Sequence, residues 1–255
     1  MNISIAVLFF IVGIIFGSFY NVVGYRLPKG ESLIYPPSHC TKCNHRLSPL
    51  ELIPVFSFLF LGGKCKNCKQ KISWFYPIFE FSSGVLFSLS YLRFGFSYEC
   101  LISIIFISML LIIFISDYQT MIIPDSVLII SSILIIVIKF IAFGLNACLA
   151  SLLNSVLSFI FMLLLKLFGD FLFKKESMGG GDIKLLFVFG LVLGFPNSIL
   201  SIFLASVIGL PISLINIKKN TNHEIPFGPY LAVSAVILTL LNLDFNEIIK
   251  MLTIF

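Results

Sequence analysis

Most of this chain is written in stretches of about twenty apolar residues, the length an α-helix needs to cross the hydrocarbon core of a bilayer. Eight such stretches lie near residues 3–23, 75–93, 100–116, 126–144, 149–168, 183–195, 198–216 and 227–243. The sixth is short and rich in glycine. Only 11% of the 255 residues are charged, against about 25% in a soluble domain. Mean hydropathy is +1.07. The expectation is an all-α polytopic membrane protein with about eight transmembrane helices and one small polar loop. The N-terminus carries no basic region and no small-x-small cleavage site, so it is expected to remain as the first span.

Charge placement orients these spans. With the N-terminus outside, fourteen of the seventeen lysines and arginines face the cytosol, and only Arg93, Lys139 and Lys250 fall toward the outside. That asymmetry is the positive-inside signature of a cytoplasmic membrane protein. It accounts for the net charge of +5 by position, so no nucleic-acid partner is expected. The organisation that follows is a first helix (1–24), a cytosolic loop (25–74) and a transmembrane core (75–255).

The loop holds two Cys-x2-Cys pairs, Cys40/Cys43 and Cys65/Cys68, with twenty-one residues between them. Each pair can form a tight knuckle that points two sulfurs at one ion, and two knuckles complete a tetrahedral thiolate site for Zn²⁺. Disulfides are the rival, but the cytosol is reducing. A redox site would need only one pair. Four thiolates leave no open position, so the zinc is expected to be structural. His39 and His45 are read as loop residues, and Cys100 and Cys148 as small buried apolar ones.

Three of the five aspartates sit at expected membrane boundaries on the cytosolic side: Asp117, Asp125 and Asp182. Asp125 follows Pro124 at a helix start, which ordinary capping explains. Asp117 ends a span, where an acid opposes the helix macrodipole. Asp182 follows three glycines, more than a cap requires. A charge at membrane depth costs roughly 2.5–3.5 kcal/mol even on lenient scales, so such acids call for a functional reason. Two carboxylates meeting from different helices suit an aspartic hydrolase: one takes a proton from water, the other donates to the scissile carbonyl. A proton-coupled transporter also uses intramembrane acids, and both readings stand on the residues alone.

Six motifs in register resolve this by resemblance. They are "FGSFYNVVGYRLP" (16–28), the paired Cys-x2-Cys loop, "YPIFEFSSG" (76–84), "DYQTMIIPD" (117–125), "GGGD" (179–182) and "IPFGPYLA" (225–232). Together they resemble the type IV prepilin peptidases, membrane aspartic proteases of bacteria. The resemblance implies that Asp117 and Asp182 are the catalytic pair, with Asp117 the acid eight residues before the proline-linked one. It implies cleavage of prepilin or pseudopilin leaders at the cytosolic face, before an apolar helix that lies in the membrane lipid. It further implies N-methylation of the new N-terminus from S-adenosylmethionine, with Glu80 and Gly84 the candidate contributors to the methyl donor's site. Oligomeric state is left open. The alternatives are a presenilin-like intramembrane protease, which leaves the cysteine loop unexplained, and a zinc-clamped transporter or assembly protein, for which internal repeats are lacking.

Overall fold

The computed structural model describes residues 2–217 and 226–241, and every regular element among them is helical. The chain divides into two compact units, residues 1–96 and 97–255.

In the first unit, α1 (Ile3–Arg26) packs along α3 (Phe75–Phe94), and the intervening loop carries the short helix α2 (Phe56–Phe60). Asn2 caps α1, its side chain accepting from the Ser4 N–H at 3.2 Å. Lipid supplies no hydrophobic drive between helices, so their association relies on close approach through small residues. The α1–α3 seam does this. A Cβ on Gly13 would stand 2.7 Å from the Ser83 carbonyl, and one on Gly84 would stand 2.7 Å from Ile14 and 2.8 Å from the Phe10 carbonyl. Phe9 stacks on Tyr91 at 4.9 Å beyond that contact.

The second unit contains α4 (Tyr98–Thr120), α5 (Asp125–Phe173), α6 (Gly180–Leu193), α7 (Phe195–Ile217) and α8 (Gly228–Leu241). Helix α4 packs on α5 and α8, and α5 packs on α6. Phe106 of α4 meets Phe189 of α6 edge to face in the core, both rings fully buried.

Helix α5 runs for 49 residues. Straight, it would be about 74 Å long, more than twice a bilayer's hydrocarbon thickness. It is not straight. Gly144 adopts φ 79° and ψ 178°, and the chain doubles back there. Lys139 reaches Ser151 at 2.9 Å, although residues twelve apart on a straight helix would be separated by about 18 Å. The stretches 126–144 and 149–168, expected as separate spans, are the two limbs of this hairpin.

Among the described residues, four helices are long and apolar enough to cross a membrane: Ile3–Lys29, Tyr98–Thr120, Asp125–Phe173 and Phe195–Leu214. The other expected spans are helical but fall short of that measure. Glu80, Arg93 and four serines dilute α3. Helices α6 and α8 have 14 residues each, or about 21 Å. Lys139, five residues before the turn at Gly144, is partly buried, and its ammonium donates to Ser151 and to the Leu191 carbonyl in the last turn of α6. Of the lysines used for orientation, Lys218, Lys219 and Lys250 lie outside the described residues.

Candidate active site and metal centre

Asp117 is in the last turn of α4 and Asp182 in the first turn of α6. Both are buried, at 6% and 8% exposure, although the hydration of a carboxylate resists burial. They lie within electrostatic reach of one another. Asp117 Oδ2 accepts the backbone N–H of Gly228 at 2.9 Å. Gly228 is the first residue of α8, so the positive end of that helix faces an acid poorly placed at the end of its own. Sequence reasoning noted the motif around Gly228 but assigned it no role. The available signal was a glycine followed by proline at a helix start.

Of the three glycines before Asp182, one is sterically required. A Cβ on Gly181 would stand 2.9 Å from the Ile123 Cβ, in the turn that follows Asp117. That close approach brings the start of α6 against the end of α4. Gly179 is the extended N-cap residue, and a Cβ on Gly180 would meet nothing within 4 Å.

Asp125 does not cap α5 as expected. The N-cap is Pro124, and no side chain caps the helix. The Asp125 carboxylate instead pairs with Lys184 on α6, both oxygens at 2.7 Å from the ammonium. Both side chains are more than half exposed, and such pairs contribute little stability.

In the first unit, the four loop cysteines converge, with all four sulfurs within 4.8 Å of one another. Cys40 and Cys68 are 3.8 Å apart, Cys43 and Cys65 3.9 Å. A regular tetrahedron of Zn–S bonds of about 2.3 Å has edges of about 3.8 Å, so the sulfur set fits zinc. The two knuckles repeat one hydrogen-bond pattern. The Cys40 N–H donates to the His45 carbonyl at 2.9 Å, and the Cys65 N–H to the Gln70 carbonyl at 2.9 Å. In each, the residue four beyond the first cysteine turns left-handed, Asn44 at φ 54° and Lys69 at φ 58°. Amide groups of Lys42 and Cys43 draw the Cys40 thiol down to about 6. Asn67 donates to the Cys43 sulfur at 3.7 Å. His39 bonds to the Pro37 carbonyl and His45 to Glu51, so neither histidine joins the sulfurs. Ser48 forms a capping box with Glu51, and its hydroxyl holds that carboxyl down at about 2. Cys100 and Cys148 are buried and not disulfide-bonded.

Glu80 accepts the Val55 N–H at 2.7 Å and also bonds to Ser18. Val55 has φ 63°, a strained conformation for a β-branched residue, so this bond helps hold the loop in place. Gly84 is enclosed by Phe10 and Ile14 in the helix seam and serves close packing. One turn from Glu80, Asn21 donates to the Tyr76 carbonyl at 3.5 Å. Its buried Oδ1 has no hydrogen-bond partner among the described residues. That orphaned acceptor fits a polar ligand at the loop end of the seam.

The model of the Bacterial Peptidase A24 N-terminal domain matches residues 11–94, and that of the Type IV leader peptidase family matches residues 104–214. The prepilin leader peptidase/N-methyltransferase of Bacillus subtilis (strain 168) is 35% identical over 231 residues, covering 89% of this chain and 91% of its own. Proteins of the same name from Pseudomonas putida and Neisseria gonorrhoeae are 30% and 31% identical, over 90% and 89% of this chain and 88% and 87% of theirs. No solved structure matches the chain significantly.

Proposed function

The chain belongs to the type IV leader peptidase family, and on that premise we propose that it is a membrane aspartic endopeptidase acting on prepilins or pseudopilins. It removes the leader at the cytosolic face of the bacterial inner membrane and N-methylates the new N-terminus. The observation that carries the peptidase reading is that two buried carboxylates from different helices, Asp117 and Asp182, lie within electrostatic reach of one another. The pair shares one proton, so one partner deprotonates water while the other protonates the scissile carbonyl. Water reaches this level, while the lipid aligns the substrate's apolar helix.

In this reading the eight helical stretches each cross the bilayer, with α6 and α8 relying on their neighbours for cover. The cysteine loop lies in the cytosol and holds one structural Zn²⁺ on Cys40, Cys43, Cys65 and Cys68. S-adenosylmethionine, when bound, supplies an electrophilic methyl group. Glu80 and Asn21 would hold it, and Gly84 contributes by letting α1 and α3 approach.

The test is prepilin cleavage in membranes, read by product mass, for three variants side by side. Asp117→Asn and Asp182→Asn should each abolish cutting, because an amide can act neither as the base nor as the acid. Asp125→Asn should retain most activity, since it removes only an exposed ion pair. A dead Asp125→Asn beside an active Asp117→Asn would reassign the first acid. Activity in all three would exclude an aspartic mechanism.

A further inference from the structure

We infer that the two aspartates have fixed and different roles: Asp117 is the base, Asp182 carries the shared proton, and the Gly228 N–H enforces the division. This rests on the peptidase reading above and deepens it.

Hydrogen-bond direction sets the first role. A backbone N–H can only donate, so Asp117 Oδ2, which faces it at 2.9 Å, must present a lone pair. The positive end of α8 lies against the same carboxylate, and both favour its ionised form. Asp182 stands in the first turn of α6, whose positive end also favours a charge, but among the described residues no N–H or O–H donates to its carboxyl. Its one electrostatic neighbour among them is Asp117. Two adjacent buried carboxyls share one proton, and the proton resides on the partner without donors.

A side chain at residue 228 would displace the Asp117 carboxylate. A Cβ there would stand 2.6 Å from Asp117 Oδ2, so that oxygen would have to shift, and 3.1 Å from its Cγ, a tight contact. Gly228 is therefore a positioning residue: it aims Asp117 and leaves Oδ1 free for water.

The step balances. Asp117 Oδ1 takes a proton from water as the water oxygen bonds to the scissile carbonyl carbon. The carbonyl oxygen receives the π pair and the proton from Asp182, giving a neutral diol. On collapse the C–N bond breaks and the nitrogen takes the proton from Asp117. A diol hydroxyl returns a proton to Asp182, restoring both groups.

Two variants of the full-length, zinc-loaded protein test this with a prepilin substrate. Gly228→Ala pushes the carboxylate away by adding a Cβ. Replacing Gly228 with glycolate, so that an ester links it to Phe227, deletes the N–H and adds no bulk. Each should lower kcat at least tenfold with KM within about twofold, and move the acidic limb of the kcat–pH profile upward by about one unit. The upward sign follows because losing a donor makes the carboxylate harder to ionise. If the alanine variant does not assemble, the ester decides. An unchanged profile in the ester, a loss carried by KM alone, or failure of the ester to assemble each overturns the inference. Since Asp117→Asn is dead on the peptidase reading whatever Gly228 does, failure here leaves that reading standing, whereas an active Asp117→Asn removes both.

Discussion

A single absent methyl group decides several contacts in this molecule, and the run from Gly179 to Gly181 shows how selectively. Only Gly181 lies against a neighbour, the Cβ of Ile123, while Gly180 faces open space. Gly180→Ala should therefore cut prepilin at close to the parent rate. Gly181→Ala must displace the start of α6 from the turn after Asp117, and should lower kcat by about tenfold or more, since small misplacements of a reacting group are costly. Parallel cleavage assays in the same membranes check this, and equal rates for both variants would remove the steric argument. The run was legible in the sequence as a feature, but the ordering within it was not. It depends on Ile123, nearly sixty residues away. The same applies to Gly228, whose partner Asp117 lies 111 positions away.

At the scale of elements, local patterns translated well. Two Cys-x2-Cys pairs fold into two knuckles because the backbone bonds that shape each knuckle join residues within nine of each other. Asn44 and Lys69 repeat one turn at one offset. Cys65 is the most enclosed of the four sulfurs' residues, so Cys65→Ser should reduce zinc from about one ion per chain to nearly none by metal analysis. Methyl transfer should fall more than cleavage. Equal loss of both would tie the loop to the cutting step or to folding as a whole. The apolar runs marked where helices lie, and the boundary expected between 126–144 and 149–168 falls where Gly144 leaves helical geometry. Asp125 misled because its contact is distant in sequence: a carboxylate after proline looks like a cap, and Lys184, its partner, is 59 residues on.

Across the whole second unit, the helix bearing Asp182 is held unequally at its two ends. Near Asp182 the polar tie, beside the packing of Gly181 on Ile123, is the exposed pair of Lys184 with Asp125, which contributes little. At the other end, Lys139 of the α5 hairpin, which also donates to Ser151, donates to the Leu191 carbonyl, and Asn154 accepts the N–H of Phe195 just beyond. Gly190 is pressed against Ser155 there, where a Cβ would stand 2.5 Å from its Cα. Lys139→Met keeps the stem and removes the donor, so it should lower kcat severalfold while leaving KM for prepilin nearly unchanged. An unaltered kcat would show that the far anchor does not govern the dyad. Mechanically, α6 is a lever with its pivot at Leu191 and its load at Asp182. The arm is nine residues, about 14 Å, so a tilt of about 5° swings the carboxylate by about 1 Å. Whatever bent the α5 hairpin, whether lipid packing or a neighbouring helix, would thereby be geared to the spacing of the two acids, and on the proposed mechanism the speed of cutting would be set partly from the opposite end of the helix.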